Sequence, residues 1–552
     1  MKTKFRLLAM VLAVLMLVTS CGTALADDGY ASTYTYNYDY WSDYRESPDA
    51  YRVTNVIYSG DLGLDVAMKK PQSLFVQGNM LYVVDSGNNR ILEISRDGNE
   101  FELVRIIDEF KIGAAQEPAA AEETAVTDET VATEEAAAVE ETAVIEESTA
   151  AEEAVRVEEL PTVTTFNNPN DVAVDEEGNI YVADTNNQRI VMMDKDLNYI
   201  KQFVKPTDST FDQSLSFLPN KLVIDNSGRV FTLATNVNKG VVKFEANTEF
   251  TGYVGANKVV YNLVDYVWKT FFMTEEQRAQ QESFVPTEYC NIYMDEDSFI
   301  YATNISFDEY DLVWDNAQPI RRLNGVGTDI LIKNDRYPPI GELYWQEQAK
   351  DYHGPSKFVD ITVLHDDIYV GIDRTRGRLY GYDSQGIMLW AFGNMGNSDG
   401  CFSNAISIEH MGNDLFVLDQ NEGAITVFVP TEYGDLIYAA NEAYLKGDYD
   451  GSADLWRDVL KMNANYNLAF IGIGRSLMRQ ENFTEAMDYF KMAMDRDNYG
   501  RAFRLWRKIW VEENIGWLVA VLAVIIIIPM VLRSIKKKKM EVEAYERNQV
   551  TK

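Results

Sequence analysis

The sequence predicts a mainly β chain built of repeats, continued by a small all-α region and one membrane helix. Three observations carry this prediction. A unit of short strands separated by Gly, Asn or Asp turns recurs six times between about residues 51 and 431. The apolar periodicity becomes helical over 433–500, and an uncharged apolar run fills Ile515 to Leu532. Composition agrees. The 552 residues are enough for several domains, and 46% hydrophobic content with 25 Phe, 32 Tyr and 9 Trp supplies large cores and excludes global disorder. The balance of 50 Lys+Arg against 86 Asp+Glu gives a net charge of -36, which argues against binding nucleic acid phosphates. Three Cys exclude a disulfide scaffold or a multi-Cys zinc site. The three His (His353, His365 and His410) leave little for His-rich metal or triad chemistry.

From the N-terminus, residues 1–26 read as a secretory signal peptide, with Lys2, Lys4 and Arg6 before an apolar run from Leu7 to Val18. Two processing outcomes stay open. Ala24-Leu25-Ala26 before Asp27 suits a signal peptidase, and Val18-Thr19-Ser20-Cys21 resembles a bacterial lipobox that would leave a lipidated Cys21. Residues 27–50 form a Tyr-rich arm whose alternation from Tyr34 to Tyr40 suits an extended strand with one aromatic face, packed on the main domain or stacking sugars. Over 113–159, acidic pairs such as Glu122-Glu123 and Glu134-Glu135 recur every six residues among Ala, Thr and Val. That period matches neither the ~3.6 of a helix nor the ~2 of a strand, so a solvated, disordered loop is expected.

The repeated units begin at Pro71, Pro169, Pro219, Tyr289, Val359 and Ala405. In each, a second strand follows a turn, as in Leu81 to Asp85, Ile180 to Asp184 and Leu415 to Asp419. The last unit has three strands, and Tyr51 to Tyr58 is available to supply a fourth. Residues 261–284 look like a short helical insertion. Read from Pro169 to Ile190, the pattern Pro-Asn-x-Val-Ala-Val-Asp-x-x-Gly-Asn-Ile-Tyr-Val-Ala-Asp-Thr-x-Asn-x-Arg-Ile resembles the NHL repeat. The resemblance implies a six-bladed NHL-type β-propeller over 51–431, with four strands per blade around a channel. Beyond it, two units 34 residues apart resemble tetratricopeptide repeats, with Gly474, Leu477, Ala486, Phe490 and Ala493 in one and Ala440, Ala443, Ser452, Trp456 and Val459 in the other. This tetratricopeptide-like domain with its connecting helix spans 432–513.

The 18-residue run from Ile515 to Leu532 just spans a bilayer core of ~30 Å at ~1.5 Å per residue, giving a transmembrane helix over 514–533. Glu512 and Glu513 precede it, while Arg533 and Lys536 to Lys539 follow, so the tail 534–552 is expected in the cytoplasm and the large domain outside the cell membrane. Gluconolactonase-like propellers, which this pattern also resembles, hold a divalent metal with Glu, Asn and Asp at the starts of inner strands. Asn170 and Asn220 fall in Pro-Asn pairs that resemble two of those places, Asp171, Glu288, Asp360 and Asn404 lie near the starts of other inner strands as further candidates, and Gln72-Ser73 departs from an acidic first ligand; oxygen donors there suit calcium. No Gly-x-Ser-x-Gly elbow, phosphate loop or His-Glu-x-x-His is present. The expected function is therefore a non-enzymatic, membrane-anchored binding or scaffold protein without a cofactor. Its propeller would recognise a cell-surface protein or carbohydrate and its helical repeats a membrane partner; the combination resembles a membrane-tethered NHL/tetratricopeptide architecture of Gram-positive bacteria, which implies an accessory of membrane transport or envelope assembly. The alternative is a metal-dependent gluconolactonase-like hydrolase.

Overall fold

The structure is a computed structural model that describes residues 35–38, 44–112, 162–255, 289–308, 311–312, 317–333, 339–342, 354–365 and 368–550. The signal peptide with Cys21, the acidic segment 113–159, the insertion 261–284, Glu288 and His353 lie outside the described residues.

Six antiparallel sheets form a closed β-propeller. Blade 2 shows why the sequence folds this way. Its strands are Pro169–Val174, Ile180–Asp184, Arg189–Met193 and Tyr199–Val204, from the channel outwards. All five residues of the second strand are buried. Ile180 and Val182 enter the core shared with blade 1, against Val84 and Ile91, while Tyr181 and Ala183 enter the core shared with blade 3, against Leu222 and Phe244. A strand covered on both faces is apolar throughout, yet its period of two divides the side chains between two neighbours. Gly178, at φ +85°, turns the first strand into the second, a conformation that favours a residue without Cβ. The inner strands contact one another in turn, from Ser73–Gln77 of blade 1 round to Ala405–Met411 of blade 6 and back.

Blade 6 is completed from the other end of the domain. Tyr51–Tyr58 pairs antiparallel with Ala424–Pro430, Tyr58 opposite Ala424 and Tyr51 opposite Pro430, and closes the ring. Two blades depart from four strands. Blade 4 has three among the described residues, with the segment after it bonded to its outer strand through Ile330 N and Arg322 O at 2.7 Å. Blade 5 has six, because Thr35–Tyr38 and Tyr44–Glu46 of the Tyr-rich arm add to its outer edge. Tyr36 is buried there and donates to Glu342 Oε2 at 2.7 Å, where Tyr380 (2.9 Å) and the Arg378 guanidinium (3.0 Å) converge. Tyr36 and Tyr38, the described members of the arm's aromatic face, pack against the core of blade 5.

Five helices follow: α1 (Glu432–Leu445), α2 (Tyr449–Met462), α3 (Asn467–Arg479), α4 (Phe483–Met492) and α5 (Arg496–Val550). Thr431 and Asp448 cap α1 and α2 through Gly434 N and Gly451 N. Gly472 lets α3 approach α2, since a Cβ there would meet the Trp456 indole at 2.4 Å. The helices share one core with blades 5 and 6, in which Tyr51, Trp390 and Phe392 pack with Tyr433, Tyr438 and Tyr466. Tyr51 and Tyr438 bond through their hydroxyls at 2.7 Å, and Tyr466 donates to Leu389 O at 2.6 Å. Helix α5 contains an apolar stretch long enough to cross a membrane, and none of that stretch is buried in the protein. Because this core is continuous, Trp390→Ala is expected to cost about 3–5 kcal/mol and to lower the melting of propeller and α1–α4 together. Thermal unfolding followed at strand and helix wavelengths checks this; two separated transitions would show independent cores.

Candidate functional site

Ser73, which opens its inner strand, and Asp171, Lys221, Asn291, Asp360 and Ser407, each third in its inner strand, fall in one layer round the channel, all buried. They form a girdle. Asp171 Oδ2 accepts Leu222 N of blade 3 at 2.8 Å, Asp360 Oδ2 accepts Ile408 N of blade 6 at 2.8 Å, and Ser407 Oγ accepts Leu74 N of blade 1 at 3.1 Å. Ser73 donates to Asp171 at 2.6 Å, Ser407 to Asp360 at 2.6 Å, and Asn291 also bonds Asp360. Lys221 Nζ donates to Ser73 Oγ at 3.1 Å, so its ammonium reaches Asp171 through that hydroxyl. Burial pushes both carboxyls up, Asp360 to about 6, and the Lys221 charge opposes this for each.

From this waist to the ends of the inner strands the channel widens into a cavity of about 1230 Å³. Among the described residues, ten acidic side chains line it and no lysine or arginine does. Asp175, Asp225 and Asp295 cap the turns that leave the inner strands, accepting Asn179 N (2.8 Å), Arg229 N (3.0 Å) and Phe299 N (2.8 Å). Glu176, Glu177, Glu296 and Asp297 are exposed on the rim. Deeper, Glu409 is 9% exposed and takes a 3.4 Å contact from the Thr362 hydroxyl, which also meets His410 Nδ1 at 2.7 Å. Burial holds the Glu409 carboxyl well above the usual carboxylate range, the Asp360 and Asp171 charges adding to it. Burial likewise lowers His410 to about 4, so its ring is neutral at pH 7. The cavity also touches Leu445, so the end of α1 forms part of its wall.

The candidate ligands are divided by this geometry. Asp171 and Asp360 share the waist. Asn170 and Asn220 bond each other at 3.1 Å at the opposite end of the inner strands. Asn404 turns to Gln420 at 3.0 Å. Among the described residues, no three His, Cys, Asp or Glu side chains converge as a metal would require. The two waist carboxylates are committed to backbone and hydroxyl donors, with an ammonium beside them. These residues do not fit a calcium centre. Cys290 bonds Thr303 and is pushed up to about 11 by burial, an inert thiol. Sequence reasoning missed Lys221, Asn291, Ser73, Ser407 and Glu409. Aligning the six units on their third residue, with the fifth begun one position earlier at Phe358, would have put the first four in one column with the aspartates.

Chemically, the waist is a closed set of satisfied charges, and the cavity above it is an acidic funnel. The NHL repeat model matches residues 166–191, in blade 2. No curated protein matches the chain. Similar solved structures include a virginiamycin B lyase from Staphylococcus aureus (11% identity, 66% of this chain and 81% of that one, TM-score 0.34). They also include a putative gluconolactonase (7%, 70% and 94%, TM-score 0.36) and a Bacteroides thetaiotaomicron protein of unknown function (12%, 67% and 71%, TM-score 0.36).

Two outcomes test the waist. Lys221→Met removes the ammonium from between two buried carboxyls and is expected to cost about 3–5 kcal/mol at pH 7, read by chemical unfolding. Asp360 has a folded value raised from 3.8 to about 6. Its contribution is therefore full at low pH and lost as pH rises from about 4 through about 6. The stability of Asp360→Asn relative to the unsubstituted chain should improve by up to about 3 kcal/mol between pH 4 and pH 7; a flat difference would contradict the assignment.

Proposed function

We propose that the chain is a non-enzymatic, membrane-anchored binding protein. In this reading α5 crosses the cell membrane once, the propeller stands outside, and the basic residues after Leu532 keep the tail in the cytoplasm. The propeller recognises a protein or carbohydrate ligand, and α1–α4, read as tetratricopeptide-like repeats, contact a membrane partner in transport or envelope assembly. The observation that carries the proposal is the continuous core joining blades 5 and 6 to α1–α4. A recognition surface so joined passes a contact rigidly to the membrane-proximal helix, which a catalytic propeller on a flexible tether would not need. The closed charge set of the waist supports binding over metal-dependent hydrolysis.

The test is purification of the full chain from membranes in mild detergent, with co-purifying proteins identified. A stoichiometric membrane protein is expected, and it should be lost when Tyr444→Ala and Arg475→Ala remove the stacked pair at 5.3 Å between α1 and α3. A solitary protein, or metal-dependent turnover of lactones by it, would overturn the reading.

A further inference from the structure

The cavity above the waist is unusual in what surrounds its deepest acid. Glu409 sits on the inner strand of blade 6 and makes no ion pair among the described residues. Around it stand Asp360 and Thr362 of blade 5, Tyr293 of blade 4, Asp171 of blade 2 and its own neighbour His410. On the other side the inner strand of blade 1, Ser73–Gln77, carries no charge. A nine-tenths-buried carboxyl held by one 3.4 Å hydroxyl contact and the His410 backbone N–H, without an ion pair, is costly, and here it opens into a space that no described lysine or arginine lines. The fold meanwhile seats one primary ammonium, that of Lys221, among the hydroxyl and carboxylates at the floor of the same channel.

We propose that this cavity takes an organic polycation, a flexible chain of primary ammonium or guanidinium groups, with Glu409 as its deepest counter-charge. The volume of about 1230 Å³ and the spread of the acids favour an extended ligand with several separated charges over a single metal ion, for which no three ligating side chains converge among the described residues. Rim carboxylates such as Glu177 and Glu296 draw the cation in, and the field focused in a concave site of one sign raises its local concentration. Entry of a cation beside Glu409 ionises that carboxyl, so binding releases a proton and tightens as pH rises. The inference rests on the binding reading above and supplies its ligand class.

The test is titration calorimetry of the full chain in mild detergent, with spermine and with a tetralysine peptide as separate probes, in buffers of different ionisation enthalpy. Saturable binding of either probe with proton release is expected. Glu409→Gln should weaken it by about tenfold or more and reduce the proton release. Glu177→Gln, on the exposed rim, should weaken it by a few-fold and leave the proton release intact. Deletion of 113–159 should leave both unchanged, which separates the cavity from the acidic segment. Tighter binding of spermine assigns a small polyamine, and tighter binding of tetralysine assigns a basic peptide segment. No binding by either probe, binding indifferent to Glu409→Gln, or binding lost with 113–159 would overturn the proposal. Capture of a membrane partner is read independently, so the binding reading can stand where this inference fails.

Discussion

The fold depends on a buried aspartate that ends the second strand of a blade. Asp85, Asp184, Asp373 and Asp419 stand at this place, all almost inaccessible to solvent. Each accepts a backbone N–H from the segment entering its own blade: Lys69 (2.7 Å), Asn167 (2.8 Å), Lys357 (2.9 Å) and Ser403 (2.6 Å). Arg90 and Arg189 neutralise the first two from the third strand at 2.7 and 2.9 Å. The residue after the aspartate then ties the blade to the next. Ser86 donates to Pro169 O, Thr185 to Pro219 O at 2.6 Å and Gln420 to Pro71 O at 3.2 Å. A buried carboxylate is tolerated only when such donors surround it, so the motif fixes the entry, the blade and its neighbour at once.

This explains which blades were legible in the sequence. Blades 1 and 2 keep the aspartate, the arginine and the following hydroxyl, and their units are the clearest. Blades 3 and 4 carry Ala234 and Asn304 at that place, and their repeats are correspondingly faint. The closing strand was legible because Tyr51 to Tyr58 has β-branched and aromatic alternation and the last unit lacked an outer strand. The unequal blades were not. Whether an edge strand is supplied by the next segment or by a distant arm depends on three-dimensional proximity, as with Tyr36 reaching Glu342.

The site was less legible than the fold. Resemblance directed attention to the starts of inner strands, and the structure divides those residues between a paired Asn170 and Asn220, a charge-satisfied waist and an Asn404 turned to Gln420. Asp171 and Asp360 could be picked out as acids, but their partner Lys221 lies on a different blade and declares itself only when the channel is closed. Glu409 follows Ser407 by two positions and reads in sequence as an ordinary strand residue of alternating polarity. Its significance comes from its burial and from the acids gathered round it in space.

The ring closure has a consequence for the order of events during synthesis. Thr54 and Val427, which meet across the closing strand pair, are 373 positions apart. The strand that completes blade 6 is thus made long before its partner, and an unpaired, partly apolar strand is a hazard for wrong pairing while it waits. Contacts of such long separation also form late and slowly. The shared core of Tyr51, Trp390 and Tyr438 cannot assemble until α1 has been made. Completion of the propeller and docking of its helices therefore fall together, once α1 has been made.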